Sequence, residues 1–126
     1  MSQTRKVVQR VRVLAADWSV EAQQRRTEAD EEADKVWAAR QYGLADSYEE
    51  AAQQAIQMAN SWDETDSADF AWPRLITVWE RLAEEAAKLA QTTDNRITVS
   101  YRQANAEGYQ RAATALRAAV EDVLGK

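Results

Sequence analysis

Apolar positions recur every three or four residues along almost the whole chain. From Thr4 to about Tyr42 they fall at Val7, Val11, Leu14, Trp18, Ala22, Ala29, Ala33 and Val36, which is the helical period. Gly43 follows at a position where glycine commonly ends a helix. Ser47-Tyr48-Glu49-Glu50 then has the form of a capping box. It predicts a second helix to about Trp62, with Tyr48, Ala52, Ala55, Ile56 and Ala59 inward. Asp63 to Trp72 reads as a loop, and Pro73 stands where a helix start tolerates it.

The third helix is expected to run to about Gln91, with Leu75, Trp79, Leu82, Ala86 and Leu89 as the cleanest heptad in the chain. Thr92-Thr93-Asp94-Asn95 forms a turn and cap. A fourth helix reaches about Leu124 through Ile97, Tyr101, Ala104, Gly108, Ala112, Leu116, Ala119 and Val123. Gly108 inside that pattern marks a close helix crossing or a kink. The expected fold is all-α: one domain over residues 1–126, an elongated four-helix bundle with a long N-terminal helix. Unbroken from Thr4 to Tyr42, that first helix would span about 58 Å at 1.5 Å per residue. It must bend, break near Asp17-Trp18-Ser19, where Asp17 or Ser19 is a capping residue type, or find a partner.

Composition narrows the chemistry. The 126 residues include no Cys and no His, with 3 Gly and 1 Pro. Thiolate nucleophiles, disulfides, Cys-bound zinc and every triad or metal site that needs imidazole are excluded. There is no P-loop and no GxGxxG, and no cofactor is expected. Leu, Ile, Val and Phe together number 21, so the core is thin and leans on 25 Ala, five Trp and four Tyr. Trp18, Trp37 and Trp79 fall on apolar helical faces and belong to the expected core. Trp62 and Trp72, at element ends, are the exposed candidates. No apolar stretch approaches a membrane span and no signal-peptide pattern forms, so a cytoplasmic setting, or one inside a larger particle, is expected without membrane association.

The net charge is −5, unevenly spread. Residues 1–16 carry Arg5, Lys6, Arg10 and Arg12 and no acid. Residues 41–73 carry seven acids and no base. The basic stripe suggests weak nucleic-acid binding, but an acidic chain with no groove-reading motif disfavours it.

Two constellations hold candidate chemistry. Glu28, Glu31 and Asp34, spaced by three, would line one helix face and could hold Mg²⁺. That predicts an all-α Mg²⁺-dependent nucleotide hydrolase, against the alternative of a solvated face. Trp62, Asp63, Glu64, Asp66, Asp69, Phe70 and Trp72 make an acidic-aromatic segment of the kind that anchors protein interfaces. The alternative there is that the aromatics fold back onto the core and Asp69 caps the third helix.

The leading expectation is a non-catalytic protein–protein interaction module: an adaptor, an inhibitor of a larger machine, or a subunit of an assembly, including a viral one. A long first helix beside a short second one would leave Val7, Val11, Leu14 and Trp18 without cover. A homo-oligomer with those four residues in its interface is therefore also expected.

Overall fold

The first chain reversal comes at Glu32-Ala33-Asp34, not at Gly43. The computed structural model describes residues 3–61 and 68–125, with Thr4 and residues 68–71 described by backbone alone. Its helices are α1 (Gln3–Glu31), α2 (Lys35–Ser61), α3 (Ala68–Ala90) and α4 (Arg96–Leu124). The fold is an all-α helical bundle. No described helix is long and apolar enough to cross a membrane.

Asp34 starts α2. Its Oδ1 accepts from the backbone N–H groups of Val36 at 2.9 Å and Trp37 at 3.1 Å, satisfying two donors that a helix N-terminus leaves open. Glu32 Oε1 accepts from the Asp34 N–H at 3.0 Å and tightens the turn. α1 is continuous through Asp17-Trp18-Ser19, so the long first helix breaks at the turn before α2 instead. Asn95 caps α4 as expected, accepting from Ile97 and Thr98. Gly125 closes it with φ 73° and an N–H donated to Glu121. α3 begins at Ala68, ahead of Pro73.

Gly43 lies in the middle of α2 and is buried. A Cβ there would stand 2.3 Å from the carbonyl oxygen of Tyr101. Gly108 on α4 answers it: a Cβ there would stand 1.7 Å from Ser47 Oγ. The two glycines therefore let α2 and α4 cross at backbone distance. Ser47 is not a cap. It is fully buried at this crossing, and its hydroxyl is bonded back along α2 to the carbonyls of Gly43 and Leu44. Asn105 Nδ2 adds a bond to the Gly43 carbonyl at 3.2 Å, and Ser100 Oγ one to the Val36 carbonyl at 2.7 Å.

α1 packs along α2, and α3 along α4. The backbones of α1 and α3 stay further apart, and tryptophan fills the space between them. Trp18 and Trp79 meet edge to face, with ring centroids 5.5 Å apart and an interplanar angle of 83°. Trp79 is fully buried, and its Nε1–H donates to Gln54 Oε1 at 2.7 Å. Gln54 Nε2 donates onward to Glu50 at 2.8 Å. Alanines such as Ala51, Ala55, Ala104 and Ala112 complete the core.

Val7, Val11 and Trp18 are buried in this core, with Leu14 packed against it. They do not lack cover, because α1 ends at Glu31 and lies along α2 rather than projecting past it. The reason for placing these four residues in an interface between copies is thereby removed. The core assignment of Trp37 is also corrected: it is 44% exposed, as are Leu89 and Ile97 to a similar degree.

The crossing makes a direct prediction. Gly108→Ala should lower stability by about 1–3 kcal/mol through overpacking, despite alanine's better helix propensity. Ser47→Gly in the same chain should recover part of the loss. A double-mutant cycle of thermal or urea melts checks it, with favourable coupling expected.

Candidate interaction surface

The carboxylate ladder is divided by the turn. Glu28 and Glu31 are exposed on the last turns of α1, while Asp34 is committed to the N-terminus of α2. The expected single helix face does not exist, because the helix ends at Glu31. Among the described residues no group of three or more acids is placed to hold a metal ion.

The acidic-aromatic segment is only partly described. Trp62, Asp63, Glu64 and Asp66 lie outside the described residues. Asp69 and Phe70 lie on α3 with side chains outside them. Trp72 is 1% exposed, which corrects its placement on the surface: it packs into the core on the first turns of α3. Among the described residues the indole N–H of Trp72 finds no acceptor, a cost of about 1–3 kcal/mol that accompanies its burial.

A different acidic-aromatic surface forms where α1 turns into α2. Trp37, on the first turn of α2, faces Glu28, Glu31 and Glu32 across an open cavity of about 370 Å³. Its inner wall is Gln41, 1% exposed, whose Oε1 accepts from Arg25 at 2.9 Å. Arg25 in turn pairs with Glu21 at 2.9 Å. The carboxylates and the indole are thus presented on a wall braced from α1. Neither constellation named from sequence spacing included Trp37. The available signal was Asp34, an N-capping residue type three positions before it, which turns that part of α2 toward solvent.

Deeper along α2 a second polar cluster binds three helices together. Arg26 of α1 bonds Asp46 at 2.8 Å and Glu49 at 2.5 Å. Tyr101 of α4 donates its hydroxyl to the other oxygen of Asp46. These hydrogen bonds raise the Arg26 pKa above its ordinary value. Burial, then the bond to Asp46, pushes the Tyr101 phenol well above the usual tyrosine range. Burial raises Tyr109 beside it. Each oxygen of Asp46 accepts one of these bonds, so the carboxylate ties α1 and α4 to α2. An open groove of about 590 Å³ passes over it between α2 and α4, floored by Ala39 and Ile97.

The basic N-terminal stripe is partly tied to the chain itself. Arg10 pairs with Asp122 of α4 at 2.6 Å. Arg12 donates to Asn60 of α2 at 2.9 Å. These contacts leave a smaller cationic surface for phosphates than the sequence suggested.

Two predictions follow the geometry. Asp34→Ala should lower stability by about 1 kcal/mol, whereas Asp34→Asn should keep it, since a capping amide oxygen replaces the carboxylate; chemical denaturation distinguishes them. Tyr101 is held neutral in the folded state, so its contribution is complete below the unfolded pKa of about 10 and is lost as pH rises above it. Stability should fall in alkaline solution, and Tyr101→Phe should flatten that fall in urea melts. Comparison with protein families, with curated proteins and with solved structures finds no match to this chain.

Proposed function

We propose that the protein is a non-catalytic helical interaction module that takes a basic segment of another protein at the Trp37 surface. The observation that carries this reading is an exposed indole ringed by Glu28, Glu31 and Glu32. A lysine or arginine head placed over a tryptophan face gains cation–π attraction of about 0.5–2 kcal/mol. Surrounding carboxylates add charge-assisted hydrogen bonds. Large aromatics are the side chains that most often dominate binding at an interface. The adaptor, inhibitor or assembly-subunit role read from the sequence stays with this surface in place of the Trp62–Trp72 segment, and with it a cytoplasmic setting. The Mg²⁺-hydrolase reading has no observation in its favour once Asp34 is a cap.

The test is calorimetric titration with a short Arg/Lys-rich peptide. Binding should weaken with salt. Trp37→Ala should lower affinity at least tenfold, and Glu28→Gln with Glu31→Gln should reduce the salt dependence. Binding that is indifferent to Trp37→Ala would remove the reading.

A further inference from the structure

The outer face of α1 is the least covered apolar surface of the described bundle. Val13 is 60% exposed and Val20 58%, more than any other large hydrophobic residue described. Helical spacing sets Lys6, Val13, Ala16, Val20, Gln24 and Glu28 on that one face, and all six are exposed. A hollow of about 560 Å³ runs along it from Val20 to Glu28. The face is basic at its N-terminal end, through Lys6, and acidic at its C-terminal end, through Glu28. A surface with opposite charges at its two ends is complementary to itself when turned end for end.

We propose that this face docks on a second copy of the chain, the two α1 helices antiparallel about a two-fold axis at Ala16-Asp17. With Val13 of one copy beside Val20 of the other, the axis is determined. Lys6 then lies within one residue's rise, about 1.5 Å, of the level of Glu28 in the second copy. The same geometry repeats on the other side of the axis, as an isologous interface requires. Each copy thus contributes one cation and one anion at matched heights, with the valines between them. Asp17 is the exception: it stands exposed beside the axis, where two copies bring two like charges together. The interface is small and its apolar part is two valines and an alanine per copy, so the association belongs to the weak class of small interfaces. The proposal shares Glu28 with the basic-partner reading but does not use Trp37 of α2, on which that reading turns.

Sedimentation velocity of the full chain between about 10 µM and 1 mM tests it. A monomer–dimer equilibrium is expected. Val20→Asp should abolish it. Lys6→Glu and Glu28→Lys should each weaken it roughly tenfold or more, since each variant places like charges together twice. An equimolar mixture of those two variants should recover association, because in the heterodimer both pairs are again opposite in sign. Asp17→Asn should tighten it. Trp37→Ala should leave it unchanged while reducing peptide binding, which separates this proposal from the previous one. A monomer at all concentrations would overturn the proposal. So would a dimer unaffected by Val20→Asp, or variants of Lys6 and Glu28 that do not rescue one another.

Discussion

The absence of two β-carbons governs this bundle. With hydrogen at Gly43 and Gly108, α2 and α4 approach until the backbone of one lies against side-chain atoms of the other. Neither glycine has an unusual φ, so conformational freedom is not their role; the space is. Glycine within a helix costs about 1 kcal/mol relative to alanine, and the close packing along the crossing offsets it. Ser47 answers its desolvation locally, by bonding carbonyls of its own helix, so burial leaves it no unmet donor.

The close pair determines what the other two helices must do. α1 and α3 flank it and remain too far apart for alanine to bridge, so the largest side chains are spent there. Trp18 and Trp79 close the gap, and Trp72 is buried nearer the start of α3. Small residues at one helix pair and indoles at the other give a filled interior from a chain poor in leucine and isoleucine. The polar cluster of Arg26, Asp46, Glu49 and Tyr101 repeats the division at the periphery, joining α1, α2 and α4 through one shared carboxylate.

The helical period was legible from end to end, and so was the α4 cap at Asn95, because an asparagine before an apolar repeat has few other readings. The first turn was not. Gly43 is a helix end or a helix crossing according to what stands opposite, and its partners, Tyr101 and Ala104, lie some sixty positions away. Asp34 was concealed among acids that share its spacing, where a cap and a ligand look alike. The exposure of Trp37 goes with the first boundary, since the turn at Asp34 places it on the first turn of α2. The burial of Trp72 goes with the start of α3 at Ala68, ahead of Pro73, which makes Trp72 a helical core position. The valine stripe failed for the same reason, since a first helix ending at Glu31 is matched in length by its neighbour. The opposite face of α1, with Val13 and Val20, is exposed, so core-facing periodicity does not mark it.

An alanine-lined interface has a weakness that its tight packing conceals. Alanine presents nearly the same surface at every turn, so away from the Gly43–Gly108 crossing apolar contact alone does little to oppose a slip of one turn, about 5.4 Å. Hydrophobic burial alone barely distinguishes the native alignment from its shifted neighbours. The bond from the Trp79 indole to Gln54 does. It joins helices on opposite sides of the centre, and any longitudinal slip would strand a buried N–H without an acceptor. Gln54 is itself held by Glu50, so it cannot follow the indole far. This bond between α2 and α3 thereby joins the glycine crossing and the α4-to-α2 bonds of Ser100, Tyr101 and Asn105 in assigning one vertical alignment to the bundle.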